Sequence, residues 1–174
     1  MQASSTVTPS TDGISAVAST CAPGFTSTET RAWFGLLHSS AQLTRELDGD
    51  LVATHGLPLN AFEVLMRLSL ADSGQVRMSE LARQVVLSLS GLSRLVDRLE
   101  RDGLLERRTC PSDARGFFAT ITPAGRERLA EAQSDYLANV RARFLERFSP
   151  EELELLAGFW DRVAPGGCRP APTT

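Results

Sequence analysis

Ser88-Leu-Ser-Gly-Leu-Ser-Arg-Leu-Val-Asp-Arg-Leu99 carries two patterns at once. Leu89, Leu92, Leu95, Val96 and Leu99 recur at three- and four-residue steps, which puts them on one face of a helix. Ser90, Gly91, Ser93, Arg94, Asp97, Arg98 and, one turn on, Arg101 fall on the opposite face. Ser88 reads as the N-cap, Leu87 and Leu92 as a hydrophobic staple, and Gly103 as the left-handed stop after Asp102. A helix that is small and polar at its start and carries Arg along one face suits the ~12 Å major groove of DNA. Taken alone, the same face is equally well an ordinary solvated one, held by the ion pairs Arg94–Asp97 and Asp97–Arg101.

The flanking sequence supplies the context. Upstream, Trp33, Leu36, Leu37, Leu43, Leu47 and Leu51 mark a long amphipathic helix over 28–55, closed by Gly56 and Pro58. A second helix is predicted from Asn60, with Glu63 completing a capping box and Leu59 and Val64 a staple. Gln75-Val-Arg77 reads as a short strand, and Ser79 as the cap of a short helix over 80–85. Downstream, residues 104–109 and 117–121 read as two strands around a turn over Cys110–Gly116, which makes a hairpin. Thr122 with Pro123 starts another helix, whose apolar spacing runs from Leu129 through Tyr136 and Phe144 to Phe148. Ser149-Pro-Glu-Glu152 is a capping box for a last helix carrying Leu153, Leu156, Trp160 and Val163.

This order predicts a mainly α protein: a winged helix-turn-helix with a two-stranded wing and N- and C-terminal dimerisation helices. The expected division is a disordered Ser/Thr-rich tail (1–27), an N-terminal dimerisation helix (28–56), a DNA-binding lobe (57–123), C-terminal dimerisation helices (124–164) and a flexible tail (165–174).

Composition narrows the function. The chain has 174 residues, 42% of them apolar, and a net charge of −3, so bulk charge excludes an indiscriminate nucleic-acid binder. All 18 basic residues are Arg, which leaves no Schiff-base or phosphate-loop lysine. Two His and scattered acids make no nucleophile–base pair, so an enzyme is not expected. Cys21, Cys110 and Cys168 are too widely spaced for a disulfide framework or zinc site, and no metal or cofactor is expected. No apolar run reaches the ~20 residues of a membrane span. With no Lys or Arg before Arg31, a cytoplasmic protein is expected.

Charge distribution favours a polyanionic partner. Residues 77–126 hold nine Arg against six acids, although the whole chain is acidic. In the hairpin, Arg107, Arg108 and Arg115 flank a turn stiffened by Pro111, and Asp113 can support the wing by accepting turn hydrogen bonds and pairing with Arg. An Arg at such a tip suits the narrow, negative minor groove. Helix and wing together therefore point to double-stranded DNA.

At this level the chain resembles the MarR (multiple antibiotic resistance regulator) family. The resemblance rests on Leu59-Asn-Ala-Phe-Glu-Val-Leu65, Met78-Ser-Glu-Leu-Ala82, Ser88 through Glu100, Gly103-Leu-Leu-Glu-Arg107, Asp113-Ala-Arg115 and Ile121-Thr-Pro-Ala-Gly125, and it spans about 30–163. It implies an obligate homodimer that binds a near-palindromic operator and represses until a small molecule releases it. It makes Ser88, Ser90, Ser93, Arg94 and Arg98 candidate groove contacts and Arg115 the wing contact.

Trp33, Tyr136, Phe144, Phe148 and Trp160 lie on apolar stripes that one small lobe cannot cover, which independently favours a two-fold pair with groove helices ~34–36 Å apart. The resemblance also implies a crevice for a phenolic or other small aromatic effector, which Trp33, His38 and Arg67 could line; core packing for Trp33 and a solvated or hydrogen-bonded His38 are the plainer readings. Cys110, beside Arg107 and Arg108, is a candidate redox thiol, an inert exposed thiol being the plainer reading. The alternatives are a protein-interaction winged helix or a thiol-based redox regulator. The first would be expected to expose aromatics or Leu where Ser88–Arg101 shows small residues and Arg.

Overall fold

The computed structural model describes residues 24–85, 87–110 and 113–165, excluding the side chains of 89, 110 and 113–115. Of the tails expected over 1–27 and 165–174, residues 1–23 and 166–174, with Cys21 and Cys168, lie outside the described residues, as do the turn residues Pro111 and Ser112. The elements are α1 (Ser27–His55), α2 (Leu59–Leu70), β1 (Gln75–Arg77), α3 (Met78–Gln84), α4 (Leu89–Arg101), β2 (Leu105–Cys110), β3 (Asp113–Ile121), α5 (Pro123–Arg143), a 3₁₀ turn (Leu145–Arg147) and α6 (Pro150–Val163). The chain forms two compact units that meet within α1, between Gln42 and Leu43.

In the first unit α1 opens on a capping box that the sequence reading passed over. Thr26 N donates to Glu29 Oε2 (2.7 Å) and Glu29 N donates to Thr26 Oγ1 (3.2 Å). The Thr26 amide and hydroxyl, both donating to Glu29 Oε2, hold that carboxyl below its ordinary value. Phe25, Trp33, Phe34, Leu36 and Leu37 are all exposed.

In the second unit a single core gathers Leu51, Leu57, Phe62, Leu65, Leu68, Leu81, Leu92, Val96, Leu99 and Leu105 with Leu129 and Ala132. Leu51 shows that the C-terminal part of the helix predicted over 28–56 packs with the lobe. Of the apolar set read from α4, Leu92, Leu95, Val96 and Leu99 are buried, and the Leu89 side chain lies outside the described residues. Ser88 is the N-cap, its Oγ accepting from Gly91 N at 3.1 Å. Gly103 takes φ +73° after the C-cap Asp102, a conformation that penalises any Cβ.

Several local expectations give way to tertiary structure. Asn60 is not the cap of α2: the helix starts at Leu59 after Pro58, which makes no side-chain cap. The first amide is satisfied from α1 instead, Leu59 N donating to Asp48 Oδ1 at 2.9 Å. Ser79 is not a cap either, because β1 runs straight into α3 and Arg77 occupies the N-cap position. The expected two-stranded wing is present as β2 and β3, and the predicted strand β1 joins it in a three-stranded antiparallel sheet of order β1-β3-β2. Val76 of β1 lies opposite Ala119 of β3, and Leu105 of β2 opposite Ile121. β3 begins at Asp113, so the turn is shorter than the predicted 110–116.

Thr122 caps α5 as expected, accepting from Gly125 N (3.0 Å) and donating to Gly103 O (2.6 Å). The helix does not continue to Phe148. It breaks at Phe144 (φ −129°, ψ −64°), and the 3₁₀ turn brings Phe148 edge-on to Phe144 at 5.2 Å. The Ser149/Glu152 capping box of α6 is present in both directions. α6 buries no residue, and Leu155, Phe159 and Val163 are exposed along it.

Candidate nucleic-acid interface

The site is built on α4 because its apolar stripe fixes which face remains outside. With Leu92, Leu95, Val96 and Leu99 turned inward, Ser88, Ser90, Arg94, Arg98 and Arg101 are exposed and Ser93 is half-buried. Ser88 Oγ and Ser90 Oγ lie 3.2 Å apart, so the helix start presents a pair of small hydroxyls. The guanidinium groups of Arg94 and Arg98 make no hydrogen bond or ion pair among the described residues. Arg101 Nε donates to Asp97 O at 3.3 Å, a contact within its own helix. The predicted pairs Arg94–Asp97 and Asp97–Arg101 do not form between side chains. Asp97 pairs with Arg107 instead, at 2.6 Å.

Arg107 differs from the other candidates. Its side chain is 22% exposed, and it is engaged by α4 at three positions. Nη1 meets Asp97 Oδ1 (2.6 Å) and donates to Glu100 Oε2 (2.8 Å), and Nη2 donates to Ser93 O (3.3 Å). Its backbone N also donates to Glu100 Oε1 at 2.9 Å. The sequence assigned it to DNA contact, whereas its hydrogen-bonding capacity is largely committed inside the lobe. The strand's period would have shown this: Arg107 shares parity with the buried Leu105, not with the exposed Arg108.

Arg108 pairs with Glu106 at 2.5 Å. Both cations invoked to activate Cys110 therefore sit on carboxylates. Asp113 and Arg115 lie at the start of β3, with Asp113 opposite Cys110, and their side chains are outside the described residues, as is that of Cys110.

The effector candidates distribute over both units. Trp33 and His38 are exposed in the first, and Arg67 is exposed in the second. Near Arg67 in sequence lies a group that the sequence reading missed. Burial raises the Glu63 carboxyl above its ordinary value, with Arg67 opposing. Burial and the charge of Glu63 raise the Tyr136 phenol. Tyr136 packs on Phe62 with centroids 4.5 Å apart. Glu63 was overlooked because it had been read as a cap.

Among the described residues no group of three His, Cys, Asp or Glu could hold a metal, and no helix is long and apolar enough to cross a membrane.

Known proteins share this arrangement. The MarR family model matches residues 55–116. The chain is similar to AbsC, a MarR family transcriptional regulator from Streptomyces coelicolor, with 35% identity over 82% of this chain and 96% of that one and a TM-score of 0.76. It is similar to Sco3205, a MarR family regulator from the same organism solved in complex with DNA: 32% identity, 82% and 89% coverage, TM-score 0.77. It is also 29% identical over 116 residues to the HTH-type transcriptional repressor YetL of Bacillus subtilis (strain 168), covering 64% of this chain and 69% of that one.

Proposed function

The chain belongs to the MarR family, a family of DNA-binding transcriptional regulators and not of enzymes, and on that premise we propose that it is a homodimeric, sequence-specific repressor released by a small ligand. The observation that carries the DNA reading is the outer face of α4. Two guanidinium groups with no partner among the described residues and a cluster of small hydroxyls stand on the side of a helix whose other side is locked in the core.

In this reading Ser88, Ser90, Ser93 and Arg94 meet base edges near the helix start, Arg98 meets the backbone or a base farther along, and Arg115 enters the minor groove from the wing. Asp113 supports that wing. Arg107 is left out of the contact set because Asp97 and Glu100 already hold it. Repression is supported by the resemblance to YetL.

The homodimer is supported by two apolar surfaces left exposed in the single chain. One is Trp33, Phe34, Leu36 and Leu37 on α1, and the other is Leu155, Phe159 and Val163 on α6. Exposed apolar clusters of this size mark association surfaces. A two-fold pair would read a near-palindromic operator. The effector reading keeps Trp33 and His38 as candidates in the first unit and Arg67 in the second, where Glu63 and the Tyr136 phenol, which burial and the Glu63 charge raise, are further candidates. A cytoplasmic location fits an intracellular DNA target.

The test uses a duplex enriched from a random library by the wild-type chain. Arg94→Ala is expected to lower affinity and relax base preference, by ~1–3 kcal/mol for a bidentate base contact. Arg98→Ala, if it removes a phosphate contact, is expected to reduce the salt slope of log K by ~0.9. Arg94→Ala with unchanged affinity and preference would refute the assignment of α4. Sedimentation equilibrium of Leu155→Glu and Phe159→Glu variants tests the dimer, and a monomeric wild-type chain would refute it.

A further inference from the structure

We propose that Arg107 is a positioning residue: it sets the angle between the wing and the groove helix, and thereby the lobe's operator selectivity, without touching DNA. The inference rests on the lobe being a sequence-reading one, as argued above.

Ser93, Asp97 and Glu100 are spaced four and three residues apart, so they form one row along α4. Arg107 of β2 grips that whole row. Its fork takes Asp97 at 2.6 Å and Glu100 at 2.8 Å, reaches Ser93 O at 3.3 Å, and its backbone amide donates to the second oxygen of Glu100 at 2.9 Å. Side chain and main chain of one strand residue are thus both tied to one helix.

Apolar packing fixes the base of the wing, where Leu105 of β2 joins Leu92, Leu95, Val96 and Leu99 of α4 in one core. Met78, Ser93, Asp97, Arg107 and Phe117 border a cavity of about 440 Å³ where α3, α4 and the wing converge. Across that space, beyond the packed base, the ionic clasp ties the wing to the helix. A clasp that grips three points along a helix resists both rotation and sliding, which a single contact could not do.

The position matters for recognition. The groove contacts assigned to α4 and the minor-groove contact assigned to Arg115 sit on the two bodies that Arg107 joins. If their relative angle drifts, both cannot seat on the same duplex, and selectivity falls before general affinity for DNA does. Arg is required because Nη1 meets both carboxylates while Nη2 reaches Ser93 O; a lysine's single ammonium supplies the charge without spanning the row.

The experiment compares the wild-type chain with Arg107→Lys and Glu100→Gln. The probes are the library-enriched duplex and a scrambled duplex of equal length and composition, read by fluorescence anisotropy across a salt series. The quantity measured is the ratio of the two dissociation constants. Partial unfolding lowers the active fraction for both probes and leaves this ratio unmoved.

Both variants are expected to lose roughly tenfold in the ratio, comparable to the loss of one matched base pair. Arg107→Lys should leave scrambled binding and the salt slope near wild type. Glu100→Gln should tighten scrambled binding, because it removes a negative charge, while still losing selectivity.

The proposal is overturned if Arg107→Lys keeps the wild-type ratio. It is overturned equally if Glu100→Gln tightens both probes together, as it would if a freed Arg107 contacted phosphate. Failure of the wild-type chain to enrich any duplex would overturn the sequence-reading premise and the clasp with it.

Discussion

Gly125→Ala is a severe test of how the groove helix is tied to the rest of the lobe. A Cβ at this position would stand 2.0 Å from Leu104 O, 2.9 Å from Ile121 Cγ1 and 3.0 Å from Leu104 C. The nearest neighbour is backbone and cannot rotate away, so α5 or the 103–104 link must move by about 1 Å to reach tolerable contact. The same link carries two bonds that fix the start of α5: Thr122 Oγ1 donates to Gly103 O (2.6 Å), and Thr122 N donates to Leu104 O (3.2 Å).

Overpacking of this kind costs ~1–3 kcal/mol. Loss or stretching of one of the two hydrogen bonds adds ~1 kcal/mol. The better helix propensity of Ala returns ~1 kcal/mol. The net expectation is destabilisation by about 2 kcal/mol, or roughly 7 °C in Tm if the whole second unit, Leu43–Thr174, unfolds together. The assay is urea unfolding followed by far-UV circular dichroism.

Gly49→Ala is the matched control. This glycine lies within α1, is exposed, and has nothing within 4 Å of the added carbon, so the substitution should stabilise by ~0.5–1 kcal/mol. A Gly125→Ala protein within ~0.5 kcal/mol of wild type would refute the argument, because an unstrained surface change falls in that range.

Three further outcomes are expected. Ser88→Ala removes the hydroxyl that accepts from Gly91 N, and should cost ~1 kcal/mol in urea unfolding; an unchanged midpoint would remove the cap from the account. Asp48→Ala strips the tertiary cap from Leu59 N, a nearly buried residue, and should cost ~1–3 kcal/mol, while Asp48→Asn, which keeps a carbonyl acceptor, should recover most of it; equal losses in the two variants would refute the capping role. Glu63→Gln tests the raised carboxyl. A carboxyl raised in the folded state favours folding below its unfolded value and loses that stability as pH climbs through the folded value. The Gln variant escapes the loss, so its advantage over wild type should grow as pH rises from about 4 and then level off; an advantage that grows toward acid would refute the assignment.

What could be read in advance and what could not divide by the range of the interaction responsible. The cap at Ser88, the stop at Gly103, the Thr122-Pro123 start and the Ser149/Glu152 box each depend on groups within four residues of one another, and each appears where its sequence signal stands. Asn60 and Ser79 carry the same type of signal and fail, for one physical reason. In each case something outside the four-residue window already occupies the position: Asp48, eleven residues back on another helix, and β1, held by pairing with β3 more than forty residues on. A local cap is only one competitor for an orphan amide, and a carboxylate delivered by packed helices can displace it.

The candidate site obeys the same division. Arg94 and Arg98 follow from the helical period, because burying Leu92, Leu95, Val96 and Leu99 leaves them nowhere to point but outward. Arg107 falls in the same basic stretch, and a count of charge over a segment does not tell which face each charge occupies. Strand parity with Leu105 would have turned it inward, and the row Ser93, Asp97 and Glu100 supplied its partners. On this lobe an arginine's face, more than its presence in a basic stretch, separates the cations free to meet phosphates from the one that holds the reading head together.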